Sequence, residues 1–456
     1  MPKVLQNVEP VNHYITIHPA LDFWDSKAIV AIGCKWQETY ALFTNQGKPK
    51  GTEIHFVNAP YCITNTGDNF RLNKEELAKR QLYYSGKIEL PEITRWQYED
   101  IQKFSDNNTS KTFKQIFEII RKEYEYYVDY NDVRFYDLLS CFIVYTYFYP
   151  LFYNAPVLQF WGEMRTGKTK NLMLLEAMTF NPVNSANISS SSVFRLIESR
   201  RATILFDESE DLMTSERARE IRNMLLAGTG KSGETFRQEK QDNDTYSTKS
   251  YRVFSPKVIA NIAGIDLPAL LSRSIRISTV ATQNREKDNN CVELEDEKWQ
   301  RIRNQLYRIC LNRFSEVEAV RDYIKNIDGI TGRSFYIWHG ILTIAKLAAG
   351  DDVFSGLVQL AIENKEEMEA EIALYNEEPE AMVRELIKLC EDYPEEEYFD
   401  NDTILNTLID FNITSAKDLA NKMGKLGLKS RNITKDGKCR RYYKLTKEIL
   451  QRRLKN

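Results

Sequence analysis

The chain has 456 residues, 42% of them hydrophobic, which is enough for about three domains with sizeable cores. Its net charge of −3 excludes no partner until it is divided by region. Seven cysteines, odd in number and without a C-x-x-C pair, argue against a disulfide framework or a zinc site; a reducing, cytoplasmic compartment fits better. The opening MPKVLQNVEPVNHY has no apolar signal core.

Residues 1–105 alternate apolar runs (YITIHP, AIVAIGCKW, TEIHFVNAP) with turn signals at Asn45-Gln46-Gly47 and Asn65-Thr66-Gly67, which predicts a β-rich N-terminal domain. Residues 106–154 read as a helical lead-in. SDNNTSKT is a linker or helix start, FKQIFEIIRKEYEYYV a helix, and Phe135 to about Tyr149 a second, buried helix. No charged residue occurs from Leu138 to Gly162, a length that could span a bilayer. Pro150, Asn154, Pro156, Gln159 and many tyrosines interrupt it, so the expectation is buried helix, turn and buried strand, with no membrane contact.

Residues 155–290 alternate strands with helices. PVLQFW, TILFDE, KVIANIAG and SIRISTV are apolar strands, and LMLLEAMTF, SVFRLIESR and RAREIRNMLLAG are the helices between them. That pattern predicts an α/β core with a parallel sheet flanked by helices. Helices return over 291–372 as a lid. The acidic runs EEPEA and EDYPEEEYFD set off a small basic domain within 373–456.

The chemistry concentrates at WGEMRTGKTKNL. Gly162-x-x-x-x-Gly167-Lys168-Thr169 is the P-loop spacing, placed between a buried strand and a helix. Glycines let successive N–H groups turn toward phosphates, and the helix N-terminus adds positive partial charge. Gly162, Glu163, Met164, Arg165, Thr166, Gly167, Lys168, Thr169 and Lys170 are therefore the expected ATP-binding residues. Lys168 would reach the β- and γ-phosphates and Thr169 would hold Mg²⁺. TILFDE has the Walker B form, with Asp207 at the strand tip for Mg²⁺ and Glu208 to polarise the attacking water. Asn261, ending the strand KVIAN, is expected between the two motif strands, where it could position that water. Arg273, in LPALLSRSIR just before a strand, is expected to face a neighbouring subunit and to stabilise transition-state charge in trans; Arg276 is the runner-up.

The set GEMRTGKT, TILFDE, VIAN and PALLSR resembles the AAA+ ATPases. LLSR before a strand resembles the arginine-finger motif of MCM helicases and of the MCM-like helicases of phages, plasmids and mobile genetic elements. SSSVFRLIESRRATILFDESEDL is similar to those mobile-element ATPases as well. The resemblance implies that Arg333, in GITGRSFYIWHG, completes the site as sensor 2. It covers about residues 135–350 well and 1–105 poorly. Lys168 and Asp207 are 39 positions apart, which is short for MCM proteins and resembles superfamily 3 viral helicases. Both groups carry a β-hairpin that projects into a central channel. Here Gly228, Gly230 and Gly233 followed by alternating polar residues suggest one, with Lys231, Arg237 and Lys240 as candidate phosphate contacts.

The basic end, SAKDLANKMGKLGLKSRNITKDGKCRRYYKL, has the pattern of a winged helix. Ser415 caps a helix, Leu419, Met423 and Leu426 form its apolar face, and Asp436-Gly437 turns a hairpin. From Lys417 onward, fourteen Lys and Arg face three Asp and Glu, a net of +11 that leaves −14 for the rest of the chain. Positive charge so concentrated points to DNA phosphate. The candidate contacts are Lys422, Lys425, Lys429, Arg431, Lys438, Arg440 and Arg441.

The expectation is an ATP-dependent DNA helicase or translocase of a replicating phage or mobile element. It would be a homo-oligomer, hexameric by the resemblance, with single-stranded DNA in the channel and duplex at the winged helix. Two alternatives stay open: a replication initiator or helicase loader without processive unwinding, and an ATP-regulated DNA-binding protein.

Overall fold

Side-chain alternation organises the N-terminal strands. The computed structural model describes residues 14–43, 47–84, 86, 95–184, 189–207, 219–240, 245–262, 264–265, 267–411, 413, 415–435 and 438–454. Strands β2 (Leu21–Trp24), β3 (Lys27–Phe43), β4 (Pro49–Thr64) and β5 (Asn69–Arg71) form an antiparallel sheet. Successive residues of a strand point to opposite faces, and both faces here are buried near the β2 end. Val30, Ile32, Tyr61 and Ile63 enter the main core, while Ile29, Ala31 and Cys62 pack with Phe70 and Leu77 in a smaller one. The latter is closed by Leu77 of α1 (Lys74–Lys79), by Leu82 of β6 (Leu82–Tyr83) and by Ile17, just past β1 (Ile15–Thr16), which pairs in parallel with β6. The Asn65-Thr66-Gly67 turn links β4 to β5 as expected; Asn45 and Gln46 lie outside the described residues.

Three helices follow: α2 (Tyr98–Asp106), α3 (Phe113–Tyr127) and α4 (Arg134–Thr146). A capping box starts α3. The Thr112 hydroxyl accepts from the Gln115 N–H, and the Gln115 side chain accepts from the Thr112 N–H. From Tyr136 onward every residue of α4 is buried, so the uncharged run belongs to the core. Among the described residues no helix is long and apolar enough to cross a membrane.

The central sheet contains β7 (Val157–Trp161), β8 (Pro182–Asn184), β9 (Thr203–Phe206), β12 (Lys257–Asn261) and β13 (Ser274–Ser278), in the order β13-β7-β12-β9-β8. All its pairings are parallel, and the strand residues Leu158, Phe160, Ile204, Leu205, Val258, Ile259, Ile275 and Ile277 are buried, as a sheet covered on both faces requires. The helices around it are α5 (Lys168–Met178), α6 (Ser190–Arg200), α7 (Arg219–Ala227), the short α8 (Pro268–Leu271) and α9 (Arg285–Asn289). An antiparallel hairpin, β10 (Glu234–Lys240) and β11 (Tyr246–Arg252), is inserted before β12. A five-stranded parallel sheet flanked by helices fits a P-loop core.

Helices α10 (Glu297–Tyr323) and α11 (Gly332–Ala348) pack into the same main core. The next helix, α12 (Gly350–Asp392), has 43 residues and continues through EEPEA and Pro379, where the acidic run suggested a break. The chain divides into two compact units, Met1–Lys365 and Glu366–Asn456, and the boundary lies within this helix. The second unit has its own core of Leu386, Phe399, Ile404, Leu419, Met423 and Leu450. It comprises β14 (Tyr398–Asp400), α13 (Asn401–Thr407), α14 (Ala416–Lys425), β15 (Ser430–Lys435), β16 (Lys438–Lys444) and α15 (Lys447–Leu454), with sheet order β14-β16-β15. Ser415 caps α14 by accepting from the Asp418 N–H at 3.2 Å. The hairpin turn expected at Asp436-Gly437 lies outside the described residues.

Candidate nucleotide site

Between β7 and α5 the backbone reverses in six residues. It does so through positive φ at Gly162 (150°), Arg165 (62°) and Gly167 (83°). A Cβ on Gly162 would stand 2.4 Å from the Thr279 carbonyl oxygen and 2.6 Å from its Oγ1, so only glycine lets the loop lie against the chain leaving β13. Thr279 holds the other side. Its N–H donates to the Trp161 carbonyl at 2.9 Å, and its hydroxyl meets that of Thr166 at 2.7 Å. Tyr130 donates to Asn171 at 2.5 Å and Asn171 donates to the Gly167 carbonyl at 3.0 Å, which fixes the first turn of α5. The Lys168 ammonium donates to the carbonyls of Gly162 and Glu163, both at 2.6 Å. The loop thus curls around its own cation.

A cleft of about 790 Å³ opens here. Its lining includes Met164 through Lys170, Asp207 just past β9, and Ala260 and Ile262 on either side of Asn261. Lys168 and Thr169 therefore share one wall system with Asp207, 39 positions after Lys168, at the C-terminal ends of the parallel strands. Glu208 lies outside the described residues.

Two of the expected residues have their side chains engaged within the protein. β12 lies between the motif strands β7 and β9, as expected for Asn261; Ala260 and Ile262 line the cleft, and Asn261 is not among the lining residues. Asn261 is 1% exposed; its amide donates to the Gly264 carbonyl at 2.6 Å and accepts from Gln159 at 3.1 Å. It ties the end of β12 to Gly264. Lys170 lines the cleft, but its ammonium donates to the carbonyls of Lys287 (2.7 Å) and Asp288 (3.2 Å), tying α5 to α9.

Part of the lining carries no sequence motif. Tyr127, Val128 and Asp129 come from the end of α3, and Val280, Ala281 and Thr282 from the chain after β13. Thr282 donates to Asp129 at 3.0 Å, and Lys287 donates to the Val128 carbonyl at 3.0 Å.

Arg273 occupies the opposite end of the sheet. Ser274 pairs with Val157 at the start of β7 and Ser278 with Trp161 at its end, so Arg273 lies about 20 Å of strand length from the loop. Its guanidinium donates to the Ala269 carbonyl. Arg333 is beside it and donates to the Ser272 hydroxyl at 2.7 Å. Burial first, then the charge of Arg333, lowers the pKa of Arg273. Neither arginine is among the residues that line the cleft; Arg333 goes with Arg273. The runner-up Arg276 lies within β13, its guanidinium 4.8 Å from the Trp161 ring centroid.

On the hairpin, alternation sorts the cations differently from the expectation. Arg237 is on the inner face, 5.0 Å from the Phe194 ring centroid and 3.2 Å from Glu220. Lys240 falls on the outer face with Phe236 and Gln238. Lys231 precedes β10 and donates to the Pro150 carbonyl at 2.7 Å, and burial lowers its pKa.

In the second unit, Lys422 turns inward and donates to the Phe411 carbonyl at 2.7 Å. Lys429, Arg431, Arg440 and Arg441 are exposed. Arg440 lies 3.6 Å from Asp400 and 4.0 Å from Asp402. The side chains of Lys425 and Lys438 lie outside those described.

No family model and no curated protein matches the chain. Among solved structures it is similar to the SCCmec type IV Cch active helicase, at 12% identity over 95% of this chain and 99% of that one, with a TM-score of 0.34. The apo C-terminal region of NrS-1 aligns at 11% identity over 85% and 94%, TM-score 0.32. The JCV helicase aligns at 12% identity over 61% and 74%, TM-score 0.22. Likenesses this low carry no inference about activity, which has to rest on the chain's own site.

Proposed function

We propose that the chain binds ATP at the loop between β7 and α5 and hydrolyses it as a DNA helicase or translocase. It would act as a ring of identical subunits, six by the sequence resemblance, in the replication of a phage or mobile element. The observation that most supports this is the glycine loop that opens a helix at the C-terminal end of a parallel sheet, in one cleft with Thr169 and Asp207. Bound phosphates would take over the donors that Lys168 now gives to two loop carbonyls, and the α5 N-terminus would add its own N–H groups. Thr169 and Asp207 would hold Mg²⁺, which would supply charge neutralisation at the β- and γ-phosphates. Glu208, next to Asp207 in sequence, would orient the attacking water.

Arg273 and Arg333 are too far along the sheet to serve their own cleft. Their pairing without a carboxylate partner among the described residues supports a joint role against the anion of a neighbouring subunit. Lys240 on the hairpin would contact the translocating strand. Lys429, Arg431, Arg440 and Arg441 would contact duplex phosphates.

The test is ATP turnover by the purified chain with and without DNA. Lys168→Ala should lower the rate by at least about 100-fold, as loss of a cation aimed at transition-state charge does. An unchanged rate in the folded variant ends this reading. Strand displacement on a forked substrate then separates a helicase from an initiator that only loads one.

A further inference from the structure

Lys257 begins β12, the strand between the two motif strands, and is 1% exposed. Its ammonium donates to three backbone carbonyls: Gly228 at 2.9 Å, Val253 at 3.0 Å and Ser255 at 2.8 Å. An ammonium has three N–H donors, so its hydrogen-bonding capacity is filled. Among the described residues no carboxylate pairs with it. A charge so deeply buried is costly unless it is fully hydrogen-bonded.

The three acceptors bracket the hairpin. Gly228 follows α7 on the way in, and Val253 and Ser255 follow β11 on the way out. The space is tight: a Cβ on Gly228 would lie 2.2 Å from the Val253 oxygen and 2.5 Å from the Lys257 nitrogen. The same root is stitched to the chain ahead of β7, where Ala155 N–H donates to the Thr229 carbonyl and Lys231 N–H to the Tyr153 carbonyl, both at 2.8 Å. Three residues beyond Lys257, Ala260 lines the cleft.

We propose that Lys257 is a positioning residue whose ammonium clamps the hairpin root to the strand that lines the nucleotide cleft, coupling nucleic acid on the hairpin to ATP hydrolysis. This rests on the nucleotide and hairpin roles proposed above. A displacement of β10 or β11 must pull on Val253, Ser255 or Gly228. All three hang on one side chain of β12.

The experiment uses the full chain at pH 6.5, with ATP turnover measured without and with oligo(dT). Lys257→Met should keep basal kcat and KM within about twofold while stimulation by oligo(dT) falls at least about tenfold, and Lys257→Arg should restore most of it. Stimulation at the wild-type level in Lys257→Met, or basal and stimulated rates falling in parallel, overturns the proposal. If Lys257→Met does not fold, Gly228→Ala decides. It should show the same split, and full stimulation in it overturns the clamp. Amide hydrogen exchange over 228–256 reads the clamp without any turnover: it should rise in the variant, and unchanged exchange refutes it. A wild-type chain without ATP turnover would instead overturn the function reading alone.

Discussion

The two ends of the central sheet solve different problems with different parts of the chain. At the C-terminal ends of the strands, backbone makes the site: positive φ at Gly162, Arg165 and Gly167, a loop pressed on Thr279, and the first turn of α5. At the N-terminal ends, long cationic side chains do the work. Lys231 and Lys257 donate to backbone carbonyls, and Arg273 and Arg333 converge near Ser272. A backbone-built site has few ways to form, so its residues recur at fixed spacing. A cation-built site depends on where flexible side chains point, which neighbours in space decide.

The comparison can be broken first at Arg273. Arg273→Ala should lower turnover by roughly 100- to 1000-fold with KM for ATP little changed, in the range for losing one transition-state donor. Mixing it with Lys168→Ala should restore activity if the proposed ring forms, because one type of subunit interface would then be complete. Mixtures no better than their parts would place the arginine outside any shared site. A smaller effect is expected at the other end. Gly162→Ala forces an overlap with Thr279 that costs on the order of 1–3 kcal/mol, which is about 5- to 150-fold in ATP affinity by nucleotide titration. Unaltered affinity would mean the loop can relax and the backbone account is too rigid.

The last test concerns Lys257 and is read through stability rather than turnover. Burial draws its pKa down to about 7, from 10.5 for the unperturbed side chain. Between those values the unfolded chain binds the extra proton, so unfolding stability should rise with pH through that window and level off below it. Urea midpoints of wild type minus Lys257→Met, taken from pH 6.5 to 9.5, should show this slope. A flat difference would mean that the three carbonyls hold the proton in the folded chain.

What could be read in advance follows the same division. GEMRTGKT placed its loop, and the apolar runs VLQFW, TILF, KVIAN and SIRIS became the parallel strands, because both depend on local backbone and burial. The hairpin was legible from its glycines and alternating polar residues. Its cations were not: Arg237 and Lys240 differ by three positions and so lie on opposite faces, and Lys231 is captured by Pro150. Asn261 does end the strand between the two motif strands, while its amide is engaged by Gly264 and Gln159, partners that no motif announces. The wall formed by Tyr127 to Asp129 and Val280 to Thr282 joins segments about 150 positions apart that carry no shared pattern. Nor does charge alone mark Lys257 among the 62 Lys and Arg of the chain.

Strands β3 and β4 give one face to the main core, where Trp96 stacks on Tyr307 of α10 with ring centroids 5.2 Å apart. Cutting the chain near 105, where its composition changes, would strip Val30, Ile63 and Trp96 from a shared interior and leave an oily wound on what remains. Anyone trimming this protein for study should cut instead near 365, where the interior itself ends.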